Sequence, residues 1–426
     1  MSEFTPLEGT LSFRRQEGKS VADITAGLGT GRASVGAVLD FAWSAGEFTA
    51  TDVMAATSLT RSTAIDAIDT LVGADVLREL PNARVAGSYR SGRPARRFAL
   101  SPDLGVVVGI DAGDTHLSVT VADLLDRNLV HHRVEVSQTQ PAADRRALII
   151  ERLGAALDEA GVTREQVLAV CAGVAAPVDR NGTSPPHPDG FWERTNPGLA
   201  EALRGWAPVV HVKNDAQLAA IAEGAVGGAI GCRDYVALIA SERYGGGVVV
   251  DGHVLHGAHG GVGEGVVFDH IMGVGSAVGL PYSVQDAARD AVASGTVAPS
   301  SALGRLVAEE RIDPRLVLTL AASGDPDALL VTEHVGAVVA RIVGVLGSMY
   351  DPARVIVCGA VAESIEPVLE VARRLLPAEL HLPAPLVLAS ELGAEVVSVG
   401  AVATARRAAR ETSVPLLAEQ RLSVLA

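Results

Sequence analysis

Two α/β lobes flanking a cleft, preceded by a small helix-rich domain, is the architecture that this 426-residue sequence predicts. Three observations carry it. From Val106 onward, apolar strand-like runs alternate with helical stretches, the pattern of α/β layers that meet at a ligand-sized crevice. Before Val106, two short helical stretches are followed by strand, loop and strand. Charge divides at the same place: residues 1–102 hold 11 basic and 11 acidic side chains, whereas residues 103–426 hold 24 and 39, which is the whole net charge of −15.

At this length the chain can build two or three cores. Hydrophobic residues make up 48% of it, yet no apolar run approaches 20 residues, so it reads as soluble and globular rather than membrane-spanning. The opening MSEFTPLEGTLSFRRQEGKS lacks the charged-then-apolar pattern of a secretory signal, so the expected compartment is the cytoplasm, with no membrane partner. Cys171, Cys232 and Cys358 are far apart and show no C-x-x-C spacing, which argues against disulfides and a zinc cluster. Structural thiols in a reducing compartment are expected, and no cofactor or metal.

Residues 1–30 show no sustained period and read as a flexible leader. Val35, Val38, Leu39 and Ala42 follow helical spacing over Ala33–Trp43. Thr49 precedes ATDVMAATSL with Asp52 three residues on, a capping box with Asp in place of Glu. Thr60 then precedes RSTAIDAIDTLVGADVL, where Ile65, Ile68, Leu71 and Val72 form one apolar face. Two short helices separated by Ser58-Leu59-Thr60 have the spacing of a helix-turn-helix.

VLREL, PNARVAGSYRSGRPARR and FALS then read as the strand, loop and strand of a wing. From Leu80 to Pro102 there is no acidic residue, while Arg84, Arg90, Arg93, Arg96 and Arg97 are basic. The residue before a proline is pushed out of the α region, so Arg93 is expected in extended backbone suited to a narrow minor groove. Each feature alone has a plain structural reading, as core packing or a solvated face. Together, on the part of the chain that is not acidic, they point to double-stranded DNA. The candidate contacts are Arg61, Ser62 and Thr63 at the start of the second helix, with Arg90, Arg93, Arg96 and Arg97 on the wing. Asp66 and Asp69 are expected to face away from phosphate, unless one of them accepts from a cytosine amine.

The second domain opens with VVVGIDAGDTHLSVTVADL. Asp111, Gly113 and Thr115 form a tight hairpin that can offer backbone N–H groups and a carboxylate to a phosphate with Mg²⁺. A helix is expected over 141–160, strands at VLAVCAGVAAPV and VVHVKNDA, and a Pro/Gly-rich excursion between them. Beyond the glycine-rich hairpin of YVALIASERYGGGVVVDG come a helical region from about Gln285 to Leu330 and the helix TEHVGAVVARIVGVLGSMY. The strand RVIVCGAVAES and the helix GAEVVSVGAVATARRAAR follow. Asn214, Asp215 and Glu264, two carboxylates and an amide among glycines, form a candidate pocket polar enough for a sugar.

GIDAGDT at 109–115, NDA at 214–216, GAHGGVGE at 257–264, RVIVCGAVAE at 354–363 and LGAEVVSVGA, in this order, resemble the ROK family of repressors, open reading frames and sugar kinases. The resemblance covers roughly 33–410 and implies an α/β, two-lobed actin/hexokinase-like (ribonuclease H-like) domain preceded by an N-terminal winged helix-turn-helix. The expected divisions are a flexible leader (1–30), a winged helix-turn-helix (31–103), a kinase-like domain (104–412) and a C-terminal tail (413–426). Lobe one would comprise about 104–215 plus 393–412, and lobe two about 216–392. The resemblance further implies a sugar effector held by Asn214, Asp215 and Glu264, with Asp215 in the place of the kinase base, and a homodimer or homotetramer.

Departures from the family pattern argue against catalysis. Asp114 stands where Gly or Ser is usual, and like charges about 4 Å apart cost several kcal/mol at an intermediate dielectric. The second phosphate loop reads Ser241-Glu242-Arg243-Tyr244-Gly245-Gly246, losing two glycines and gaining an acid and a bulky ring expected to occupy the turn. Val267 stands in place of the zinc-binding histidine, and no cysteine follows it in that stretch. Asp215 is then a remnant base. The expectation is a DNA-binding transcriptional regulator, a repressor, with a degenerate kinase-like domain that senses sugar and oligomerises. The alternatives are an active ATP-dependent sugar kinase with an added DNA-binding domain, and a ligand-independent DNA binder.

Overall fold

The structure is a computed structural model and describes residues 30–81, 95–125, 127–274, 276–309 and 312–425. It contains two compact units, one of residues 102–413 and one of the residues before them together with 414–426. The expected leader up to residue 29, and the wing positions Arg84, Arg90 and Arg93, lie outside the described residues.

In the smaller unit, α1 (Thr30–Ala45), β1 (Phe48–Thr49), α2 (Ala50–Thr57), α3 (Arg61–Gly73), β2 (Leu77–Leu80) and β3 (Arg97–Leu100) form a winged helix-turn-helix. The expected capping box is present: Asp52 N–H donates to Thr49 Oγ1 at 3.4 Å and Thr49 N–H donates to Asp52 Oδ2 at 2.8 Å. Thr60 Oγ1 accepts from Thr63 N–H at 3.3 Å and caps α3. The buried face of α3 is Ala64, Ala67, Ile68 and Leu71; Ile65 and Val72, expected inside, are only partly buried. Those four positions follow i, i+3, i+4, i+7, and two alanines among them let α1 and α2 approach closely. The sheet runs β1-β3-β2, with Leu77 opposite Leu100 and Leu80 opposite Arg97.

The segment expected as a C-terminal tail is instead a helix, α14 (Val414–Leu425), that belongs to this smaller unit. Arg421 Nη1 donates to the carbonyls of Ala74 at 3.1 Å and Asp75 at 3.2 Å, just beyond the end of α3. A contact reaching 346 residues back has no local signature, so the sequence pattern missed it.

The larger unit holds two five-stranded sheets, ordered β6-β5-β4-β7-β8 and β11-β10-β9-β12-β13. The first contains β4 (Val106–Ala112), β5 (His116–Asp123), β6 (Asn128–Glu135), β7 (Val167–Val174) and β8 (Val209–Asn214), with α4 (Ala142–Ala160), α5 (Phe191–Thr195) and α6 (Leu199–Ala202) between its strands. Helix α7 (Asp215–Val226) leads to the second sheet: β9 (Tyr235–Ala240), β10 (Tyr244–Val250), β11 (His253–Val254), β12 (Arg354–Cys358) and β13 (Leu386–Ala389). Around it lie α8 (Leu280–Ala293), α9 (Ala302–Val307), α10 (Pro314–Ala322), α11 (Pro326–Tyr350) and α12 (Glu366–Glu379). Helix α13 (Val396–Ala408) returns to the first sheet, packing on β4, β7 and α7.

Each sheet thus has a three-stranded antiparallel meander extended by two parallel strands. Central strands β4, β7 and β9 are buried end to end, which is why they read as continuous apolar runs. One apolar core lies in each lobe. Gly400 of α13 sits so close to α7 that a Cβ there would lie 2.0 Å from the Leu218 carbonyl oxygen.

Helix α11 is longer than predicted, starting at Pro326 behind the N-cap Asp325, whose carboxylate accepts from Asp327 and Ala328 N–H at 3.1 and 2.9 Å. Among the described residues it alone is long and apolar enough, by length and composition, to cross a membrane, but Asp327, Glu333 and Arg341 interrupt it, so no unbroken apolar run approaches 20 residues. Its apolar window is 61% buried and its residues build the core of lobe two.

Candidate ligand cleft and nucleic-acid interface

The cleft forms where β8 ends and α7 begins. Asn214 is extended at φ −64°, ψ 141° and caps α7, its Oδ1 accepting from Gln217 N–H at 3.2 Å. That fixes the amide, so Nδ2 donates to the Ala176 carbonyl at 3.1 Å and to Glu264 Oε1 at 3.3 Å. Asp215 is the first residue of α7, and its Oδ1 accepts from Ala216 N–H at 2.7 Å. Glu264 reaches the cleft because its loop lies on β10: Gly246 N–H donates to Gly263 O at 2.8 Å. Gly263, at φ +84°, must be glycine, since a Cβ would sit 1.7 Å from the Gly246 carbonyl oxygen. The structure therefore brings Asn214, Asp215 and Glu264 together.

Burial, and then the charge of Glu264, push the Asp215 carboxyl up to about 8, against the bond from Ala216 N–H. Burial pushes Glu264 up to about 7, with Arg243 pulling the other way. Two neighbouring carboxyls that cannot both ionise cheaply hold protons near neutrality.

The turns of two hairpins close one end of this cleft. In the β4–β5 turn, Asp111 is buried, and its Oδ2 lies 2.8 Å from His116 Nε2. Burial lowers the His116 pKa, but the charge of Asp111 and this hydrogen bond more than offset it and leave it raised. Asp114 Oδ2 accepts from Gln138 Nε2 at 2.7 Å, and its backbone carbonyl accepts from Arg145 Nη1 at 3.2 Å. Burial raises the Asp114 pKa; Gln138 opposes that, while the charge of Glu242 adds to it. In the β9–β10 turn, Glu242 Oε1 accepts from Thr115 Oγ1 at 2.7 Å. Tyr244 does not occupy this turn as expected. It begins β10, and its ring is buried in lobe two, edge-on to Phe268 at 6.2 Å. Strand alternation sends that ring inward and leaves Glu242 and Arg243 at the turn.

His187, Phe191 and Trp192 also line the cleft. The His187 ring sits edge-on to Trp192 at 4.6 Å, and the Arg194 guanidinium lies 5.9 Å from the Phe191 ring centre. Sequence reasoning missed these residues, treating their segment as an excursion. The adjacent Phe191 and Trp192 in a chain only 4% aromatic were the available signal. The zinc position does not fit the ion: Val267 is solvent-exposed, the stretch after it carries no thiol, and no group of three metal-binding side chains exists among the described residues. Cys171 and Cys358 are buried thiols, Cys171 pushed by burial up to about 12, while Cys232 is partly exposed.

In the smaller unit, Arg61 and Ser62 are exposed at the start of α3, and Thr63 is partly buried, its hydroxyl 2.8 Å from that of Thr60. Arg96 does not stand free on the wing. It donates through Nε to Glu79 at 2.9 Å and through Nη1 to Asp69 at 2.8 Å, and lies 5.0 Å from the Phe98 ring centre. Arg97 pairs with Glu47. These acids lie near the wing only after folding. Arg90 and Arg93 lie outside the described residues.

A two-lobed α/β domain with an Asn-Asp helix start facing a loop glutamate across the cleft is of the actin/hexokinase-like, sugar-kinase-like class. More narrowly, this chain belongs to the ROK family, whose profile matches residues 107–408. A glucokinase from Streptomyces coelicolor is 29% identical over 327 residues, covering 71% of this chain and 98% of that protein. Among solved structures, a ROK family transcriptional regulator, a homologue of the E. coli MLC protein, superposes with TM-score 0.67 at 18% identity over 88% of this chain and 95% of its own. A ROK glucokinase from Streptomyces griseus, solved with glucose and AMPPNP, gives TM-score 0.57 at 26% identity over 71% of this chain and 100% of its own.

Proposed function

We propose that this ROK protein is a DNA-binding transcriptional repressor of the cytoplasm. Its kinase-like unit senses a sugar or sugar derivative, carries the contacts of a homodimer or homotetramer, and transfers no phosphate. The observation that carries this reading is the winged helix-turn-helix, with Arg61 and Ser62 exposed at the N-terminal turn of α3, where such helices enter the major groove. The regulator named above parallels this chain over 88% of its length, the S. griseus glucokinase over only 71%. Arg61, Ser62 and Thr63 are assigned to DNA, with Arg90, Arg93, Arg96 and Arg97 supporting; Arg96 and Arg97 would have to exchange carboxylates for phosphates. Asn214, Asp215 and Glu264 are assigned to the effector. With its pKa near 8, Asp215 holds a proton at neutral pH and donates to a sugar oxygen, the remnant of a base. Effector binding biases DNA binding only by its differential affinity for the two states of the protein.

A second reading, an active sugar kinase with an added DNA-binding domain, has support in the presence of Asp111, Thr115 and Asp215, with the charge of Asp111 acting on Asp215, and in the 29% identical glucokinase. Fluorescence anisotropy on genomic duplexes at moderate salt, run beside a coupled ATP-turnover assay with a panel of hexoses, separates the two. The repressor reading requires saturable duplex binding and negligible turnover. Robust turnover abolished by Asp215→Asn would establish the kinase instead.

A further inference from the structure

The hairpins β4–β5 and β9–β10 hold the same place in sheets of the same strand order, and their turns meet across one end of the cleft. Backbone N–H groups and hydroxyls gathered at such turns are receivers for anions. Here side-chain donors around the turns are already engaged by acceptors of the protein itself. The Thr115 hydroxyl donates to Glu242 Oε1 at 2.7 Å, the Gln138 amide to Asp114 Oδ2 at 2.7 Å, and the Arg145 guanidinium to the Asp114 carbonyl at 3.2 Å.

The Glu242 turn is also held in place. Gly279 N–H donates to the Glu242 carbonyl at 2.8 Å, Tyr244 N–H donates to Ala277 O at 2.9 Å, and Arg243 bridges to Val278. Gly279 lies so near that a Cβ would fall 1.7 Å from the Ser241 carbonyl oxygen. Asp114, Asp215 and Glu264 line the cleft with Glu242, as does Arg243, while the charges of Arg145 and Arg194 act on Asp114.

We infer that Glu242 acts as an internal anion between the two turns, and that it restricts the cleft to uncharged, unphosphorylated ligands by excluding phosphate esters and nucleotides. This deepens the proposed sugar-sensing reading by naming the ligand class, and Glu242 is its specificity-determining residue.

The test uses the full-length protein and isothermal titration calorimetry with glucose, glucose 6-phosphate and ATP. Wild type is expected to bind neither phosphorylated probe measurably. Glu242→Ala, which vacates the position, is expected to gain at least about tenfold in affinity for ATP or glucose 6-phosphate, since a like charge within a few ångströms is removed. Glu242→Gln removes the charge but keeps the bulk and is expected to gain less. Asp114→Asn, which leaves the Thr115 bond intact, covers the case in which the Glu242 variants melt early. Wild type binding the phosphorylated probes as tightly as the variants would overturn the inference, as would variants that melt like wild type and gain nothing. Absence of glucose binding everywhere, with a gain for ATP in Glu242→Ala, would sink the sugar reading and uphold the internal anion.

Discussion

Thr115 Oγ1 donates to Glu242 Oε1 at 2.7 Å, joining turns that lie 127 residues apart in the chain. A hydrogen bond to a charged group contributes about 1.5–3 kcal/mol when partly shielded. Thr115→Val keeps the shape, removes the donor and leaves the carboxylate without it. The expected loss is about 1–2 kcal/mol, seen as a lower melting temperature, with Thr115→Ser restoring most of it. Equal melting of Thr115→Val and wild type would show that the two turns are not held by this bond.

The carboxyls of Asp215 and Glu264 set a pH dependence of stability. Their folded-state pKa values are raised to about 8 and about 7 from 3.8 and 4.5, so the folded protein holds their protons more tightly than the unfolded chain. That contribution is complete below about pH 4 and is lost as the pH rises toward 8. Differential scanning fluorimetry is expected to show melting falling between about pH 5 and 8.5, with each kcal/mol worth about 2 °C or more. Asp215→Asn should flatten the slope; an unchanged slope would remove Asp215 as its source.

On the DNA side, Arg61 and Arg96 should behave differently. Arg61 is exposed at the head of α3, whereas Arg96 is tied to Asp69 and Glu79. Arg61→Ala is expected to cost about 1–3 kcal/mol at a preferred duplex and little at a random one. Arg96→Ala should act mainly on the fold, by up to about 1 kcal/mol because its ion pairs are solvated. Anisotropy titrations at one fixed salt concentration compare the two, and equal losses for Arg61→Ala on both duplexes would reduce it to a phosphate contact.

Arg421→Ala removes both bonds to the carbonyls of Ala74 and Asp75. The expected cost is about 1–2 kcal/mol, visible as faster amide exchange over residues 70–76. Unaltered exchange there would mean that α14 does not brace the end of α3.

Gly400→Ala places a methyl 2.0 Å from the Leu218 carbonyl oxygen in the seam between α7 and α13. Overpacking of this kind costs about 1–3 kcal/mol. The substitution should lower the melting temperature of the larger unit, and an unchanged melt would mean that the seam yields freely.

Much of the fold was legible because its signals are local. Thr49 with Asp52 announced a helix start, and the unbroken apolar runs of β4 and β7 announced strands buried on both faces. Asn214, Asp215 and Glu264 were legible as site candidates because polar groups among glycines are unusual in apolar surroundings. The partner of Glu242, the inward turn of the Tyr244 ring and the carboxylates around Arg96 were not legible. Each depends on which distant backbone lies alongside, and a one-dimensional pattern carries no such distance.

By itself the sequence determined the order of helices and strands, the ROK motifs and the acidic balance of the larger unit, since propensity, periodicity and charge are properties of neighbours along the chain. Only the tertiary structure decided that Thr115 meets Glu242, that Arg96 is held by Asp69 and Glu79, and that the last helix braces α3. These pairings arise when packing of the cores brings remote segments within hydrogen-bond reach, where a polar group must find whichever partner the fold supplies.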